Sequence, residues 1–248
     1  MKKLLVLLTI ICAMVTFAES QNIYSIDFET SEGYTAGSIT GQNDWKDLAW
    51  WVSTHSYVIS DANGAQSGSQ YLHVAEDGTD NANQVIVFDI SGQYTAGMKL
   101  LIHAWGKADF TGTAPLSIRF HCLGTSGKNN DVEIVEFNFK QDGSGNAWVT
   151  GKNLTFTGLI QDQYYEFGVQ INPATKAVEK VFVGENIYEG EGMTYKSATD
   201  EGCGNLPDGF RVYNGKGCVD NIKIDVVPEP AIFGLIALVG LFFARKQR

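Results

Sequence analysis

Proline and cysteine are scarce in this chain, five and four among 248 residues, and basic side chains are outnumbered, 18 against 28 acidic ones. A composition with so little proline, 44% apolar residues and 19% charged ones excludes collagen-like repeats, global disorder and coiled coil. The formal net charge of −10 argues against a nucleic-acid groove, because phosphate contacts need clustered Lys and Arg. Reactive motifs are missing too. The sequence holds no Gly-x-Ser-x-Gly elbow, no phosphate loop and no Cys-x-x-Cys, and His55, His73, His103 and His121 lie far apart with no metal-binding spacing. Helical periodicity is nearly absent between the two ends of the chain. On these grounds the expectation is a protein that is not an enzyme.

What is present begins at the ends. Lys2 and Lys3 precede an apolar run from Leu4 to Met14, and Thr16 and Ala18 supply the small residues of a cleavage site, so residues 1–20 read as a secretory signal peptide with a short signal helix. At the other end, Pro228-Glu229-Pro230 is followed by an uncharged run over 231–244 and then by Arg245, Lys246 and Arg248. Fourteen helical residues span about 21 Å, short of a ~30 Å hydrocarbon core. The run therefore reads as a single transmembrane helix of borderline length, with the basic cluster held inside and the main domain outside. Between the ends, residues 21–227 keep 13 basic and 26 acidic side chains, a balance that favours solubility and cation binding and disfavours polyanions.

Residues 21–227 alternate as strands do. Leu116, Ile118, Phe120 and Cys122 interleave with Ser117, Arg119 and His121, and Tyr165, Phe167, Val169 and Ile171 interleave with polar or small residues. Turn pairs such as Asn63-Gly64, Asp142-Gly143 and Asn172-Pro173 fall between the runs. Roughly ten short strands without a linker imply one all-β domain, a jelly-roll β-sandwich.

Two resemblances add to this. Pro228-Glu229-Pro230, the apolar run and the terminal Arg/Lys cluster resemble the PEP-CTERM sorting signal of Gram-negative envelope proteins. That likeness implies an exosortase-type membrane protease as partner, transient anchoring in the inner membrane, and a destination at the cell surface or in the extracellular matrix. Ile26-Asp27-Phe28-Glu29, Gly33–Ser38, Gly41–Trp45 and the closing Gly217-Cys218-Val219-Asp220-Asn221-Ile222 are similar to concanavalin A-like, laminin-G-like jelly rolls. The segment from Tyr165 to Thr175 is similar to their late hairpin.

The site candidates follow from residue chemistry. Trp50 and Trp51 are adjacent, so one can be buried while the other is exposed. The surface around Trp45, Trp50, Trp51 and Tyr57 is therefore the expected ligand face, since sugars stack their C–H faces on aromatic rings. Hard cations take several oxygens at about 2.3–2.6 Å. Asp27 or Glu29 from the first strand and Asp220 from the last could hold a structural calcium, or could be ordinary turn-capping carboxylates. Outside the cytoplasm cysteines pair, and Cys203 with Cys218 is the expected disulfide, leaving Cys122 a buried thiol. Asp131, Glu133 and Glu136 are the one candidate catalytic set. Retaining glycosidases need two carboxyls about 5–5.5 Å apart, and related glucanases carry Glu-x-Asp-x-x-Glu on one strand. Here the first two acids are exchanged, and without a bulge Glu136 faces away from Asp131 and Glu133. The expected function is an exported, non-catalytic module that binds envelope polysaccharide or serves surface structure. The alternative is a glycoside hydrolase or polysaccharide lyase using those acids.

Overall fold

The computed structural model describes residues 20–47, 56–74, 83–112, 114–122, 132–195, 206–213 and 215–228. Among the described residues sixteen strands form two sheets in which every pairing is antiparallel. The larger sheet runs β14 (Asn186–Thr194), β13 (Ala177–Val183), β12 (Tyr165–Asn172), β7 (Lys99–Ala108), β16 (Gly217–Val227), β5 (Gln70–Val74), β4 (Ser56–Ser60) and β2 (Gly37–Ser38), with β1 (Gln21–Ile26) also paired to β16. The smaller runs β11 (Lys152–Phe156), β10 (Gly145–Val149), β9 (Val132–Phe139), β8 (Leu116–Cys122), β15 (Gly209–Tyr213), β6 (Asn83–Val87) and β3 (Lys46–Asp47). This is an all-β jelly-roll sandwich, as the alternation implies. Among the described residues no helix is long and apolar enough to cross a membrane. The expected signal helix and the apolar run over 231–244 lie outside them.

The alternation works as the period of two requires. On β8, Leu116, Ile118, Phe120 and Cys122 turn inward and are buried, as are Phe167, Val169 and Ile171 of β12 on the facing sheet. Aromatic rings join the layers: Phe167 meets Phe120, Phe137 and Phe139 at centroid distances of 6.1, 5.0 and 5.3 Å. Such pairs add about 0.5–1.5 kcal/mol each beyond the area they bury. Turn chemistry closes the strands. The Asn172 side chain accepts from the N–H of Ala174 at 3.0 Å and of Thr175 at 3.3 Å, which bends the chain between β12 and β13.

The closing strand pairs back to the opening one, Ile222 opposite Ile26 and Val226 opposite Gln21. It bulges between Asp220 and Lys223, where Asn221 adopts a left-handed φ of 49°. The bulge anchors the loop before β5. Asp220 accepts from the N–H of Gln66 and Ser67, and Asn221 Nδ2 donates to Gln66 Oε1 and Ser67 Oγ.

Candidate active site

The outward phase of the smaller sheet carries the polar chemistry, and an irregularity in β9 decides its shape. His121 pairs with Glu133 but Phe120 pairs with Val135, so Ile134 is an extra residue in β9. Ile134 and Val135 are both fully buried. The bulge therefore returns Glu136 to the face that Glu133 occupies, although three positions along a regular strand would oppose them. Both acids reach one cation on the neighbouring strand: Arg119 Nη1 lies 2.5 Å from Glu133 Oε1 and Nη2 lies 2.9 Å from Glu136 Oε2. All three side chains are mostly buried, exposed by 16–20%. At that depth a charge-assisted pair orients both carboxylates more firmly than an exposed pair would.

Directly opposed residues extend this into a row across the sheet: Asn153, Trp148, Glu136, Arg119, Arg211, Val85 and Lys46, from β11 to β3. Adjacent strands lie about 4.8 Å apart, so each step moves one side chain by that distance. A second row holds Thr155, Asn146, Asn138 and Ser117, in which the Ser117 hydroxyl bonds to Asn138 Oδ1. Beside Glu133 stands His121, wholly buried, with neither ring nitrogen hydrogen-bonded. Burial first, then the guanidiniums of Arg211 and Arg119, hold its pKa well below the ordinary imidazole value, so the ring is neutral at pH 7.

The sequence candidates separate on inspection. Glu133 and Glu136 come together, and Asp131 lies outside the described residues. Trp45 is corrected: it is 1% exposed, packed against Phe28 and Phe210, with Nε1 donating to the Tyr34 hydroxyl at 3.1 Å. A ring of that size filling the sandwich is core, not ligand surface. Tyr57 lies on the outer face of the larger sheet, opposite His73 and Ser38, away from the two glutamates. Trp50 and Trp51 lie outside the described residues.

Glu29 and Asp220 each cap the same loop. Glu29 accepts from Ser69 and Gln70, and Asp220 from Gln66 and Ser67, while Asp27 Oδ1 is buried with no hydrogen bond. Burial raises the Asp220 carboxyl to about 7. Among the described residues no group of three or more His, Cys, Asp or Glu side chains is placed to hold a metal ion. Of the expected disulfide pair, Cys218 is buried as a thiol, pushed up to about 11 by desolvation, and Cys203 lies outside the described residues. Cys122 is a buried thiol, its Sγ donating to the Leu206 carbonyl at 2.8 Å. Of the sorting residues only Pro228 is described; Glu229, Pro230, Arg245, Lys246 and Arg248 are not.

Three members of the face escaped the sequence reading as site residues: Arg119, His121 and Trp148. Arg119 and His121 had a signal, being the polar phase of β8. Trp148 had none, since alternation alone does not say which indole faces water.

No protein-family model matches this chain, and no curated protein matches it. Solved structures do. The catalytic domain of the glycoside hydrolase family 131 protein from Coprinopsis cinerea is 11% identical with a TM-score of 0.52, over 84% of this chain and 98% of that one. A sialidase is 13% identical with a TM-score of 0.50, over 82% of this chain and only 18% of its own. An endo-β-1,4-glucuronan lyase from Trichoderma reesei matches at 10% identity and a TM-score of 0.46. At such identities the likeness shows the fold. It also overturns the expectation that the chain is not an enzyme, because a catalytic domain shares this sandwich almost from end to end. The lack of an elbow or a phosphate loop bears on other folds, not on a sheet face that seats two glutamates side by side.

Proposed function

We propose that this chain is an exported polysaccharide-cleaving enzyme of the glycoside hydrolase type, with Glu133 and Glu136 as its carboxyl pair. The observation that carries the reading is the β9 bulge, which sets both acids on one face and within reach of a single guanidinium. Glycosidic cleavage needs one carboxyl to protonate the leaving oxygen and a second to attack the sugar or activate water, at separations of about 5–9 Å. Two carboxyls held by the terminal nitrogens of one arginine are on that scale. Arg119 also offsets the repulsion that two neighbouring carboxylates would otherwise feel.

Delivery rests on the chain ends. Residues 1–20 act as the signal peptide, and the tail from Pro228 to Arg248 is a PEP-CTERM signal read by an exosortase in the inner membrane, which releases the domain to the cell surface or matrix. The apolar run is short enough that it must thin the bilayer or be temporary. Mass spectrometry of the mature protein tests this part: the peptide bearing Arg245 is expected to be missing from surface material, and its retention in exosortase-bearing cells would leave an ordinary anchor.

The deciding experiment for the function is incubation of the purified protein with a panel of polysaccharides, following new reducing ends. Release that vanishes in Glu133→Gln and in Glu136→Gln is expected. Release that survives in both variants, or none from any polysaccharide, would sink the proposal.

A further inference from the structure

We infer that Trp148 is the sugar-stacking platform of this face and that the glycan it takes is uncharged. The inference deepens the proposed function and rests on it. Trp148 is the penultimate residue of β10, which lies between β9 and β11, and it is 38% exposed. Trp45, by contrast, is buried to 1%. An indole left partly in water on an interior strand forgoes some of the burial that usually decides where tryptophan goes. Here it presents its ring beside the carboxyl pair, since Glu136 stands directly opposite on β9. With strands about 4.8 Å apart, a sugar on Trp148 is the ring next to the linkage that Glu136 would attack.

The neighbours set the ligand's charge. The side chains sharing this face on β10 and β11 are Asn146, Trp148, Asn153 and Thr155, none of them ionisable. An amide offers donors and an acceptor together, which matches a hydroxyl, itself both. A sugar carboxylate over Trp148 would call for a cation beside it, whereas the guanidiniums of this row stand beyond Glu136, Arg119 two strands away and Arg211 three; it would also approach a chain of net charge −10 against the field. A flat C–H face over the indole, with hydroxyls met by Asn146 and Asn153, describes a neutral, extended polysaccharide.

The test uses the full exported protein and its Trp148→Ala and Trp148→Phe variants. The probes are cellohexaose, xylohexaose and laminarihexaose, with polygalacturonate as the charged control. Binding is read by tryptophan fluorescence in the Glu136→Gln background, and KM and kcat are read in the parent. The expected result is binding of a neutral hexaose, weakened about tenfold by Trp148→Ala and largely restored by Trp148→Phe. KM should rise in step and the melting temperature stay unchanged. Preference for polygalacturonate would overturn the inference. So would cleavage or binding indifferent to Trp148→Ala, which leaves the carboxyl pair standing, or a dimer that Trp148→Ala dissolves. Trp148-dependent binding with no cleavage would keep the platform and remove the hydrolase. Neither binding nor cleavage would remove both.

Discussion

The outer faces of the two sheets treat charge differently. On the larger sheet, carboxylates meet a partner from strand to strand. His103 lies between Glu166, at 2.7 Å from Nδ1, and Asp225, at 3.1 Å from Nε2. Lys99 meets Glu179 at 2.8 Å, and Lys180 meets Glu189 at 3.5 Å. On the smaller sheet, Arg119 is paired to Glu133 and Glu136 and also stands directly opposite Arg211, so two guanidiniums share one register position. A buried imidazole beside them has no hydrogen bond, and an indole stays in water. A face arranged for stability alone would not keep these features together. On the proposed function, the larger sheet is scaffold and the smaller the working surface.

That contrast can be broken most sharply by catalysis. Glu133→Gln or Glu136→Gln should lower the rate of polysaccharide cleavage by about 10²–10⁴-fold, the usual loss on removing a general acid or base. Thermal melts should show both variants still folded. Equal activity in a variant would move the chemistry elsewhere.

The two tryptophans sharpen the contrast in stability. Trp45→Ala, by emptying the space between Phe28 and Phe210, should cost about 3–5 kcal/mol in denaturant unfolding. Trp148→Ala should stay within about 0.5 kcal/mol of the parent, as exposed positions do. A large loss at Trp148 would make it a packing residue instead.

The buried imidazole gives a smaller effect with a definite sign. His121 titrates well below its ordinary value in the folded chain, so below about pH 6.5 the unfolded chain binds a proton that the folded chain does not. Stability should be complete above that pH and fall by up to about 1.4 kcal/mol per pH unit beneath it. His121→Gln should remove that share of the slope in urea titrations run at several pH values. Asp220 works in the opposite sense. Its carboxyl is raised to about 7, so stability from that group declines as pH climbs from about 4 to 7.

The smallest expected change lies on the scaffold face. Glu166→Gln removes one partner of His103 at a site where the carboxylate is 39% exposed, and should cost less than about 1 kcal/mol. Cleavage should be unaffected, and a lost turnover would mean that the working surface was assigned to the wrong sheet.

The sequence makes much of this fold legible because a two-residue period survives in the linear pattern. β8 and β12 can be read straight from Leu116–Cys122 and Tyr165–Ile171. The β-branched run Val85–Ile90 looks like a single strand as letters but is not. Its strand ends at Val87, and the Phe88 N–H bonds instead to the Asp208 carbonyl. The site is less legible. Glu133 and Glu136 share a face only through Ile134, and nothing in Val-Glu-Ile-Val-Glu says that one residue will be left over in pairing. Trp45 and Trp148 are equal as letters; only the register of distant strands makes one core and the other surface.

One feature of the larger sheet bears on how the molecule is assembled. Its last strand is not at an edge: β16 lies between β7 and β5 and also carries β1, and Asn22 bonds to Asp225 across 203 positions of chain. A polypeptide interrupted before Gly217 would leave β7 and β5 with bare edges and β1 with nothing to pair against. The sandwich can close only when its final strand has emerged, and contacts so distant in sequence form slowly. For a chain threaded across a membrane, that order of assembly keeps it extended during passage and lets folding finish only on the far side.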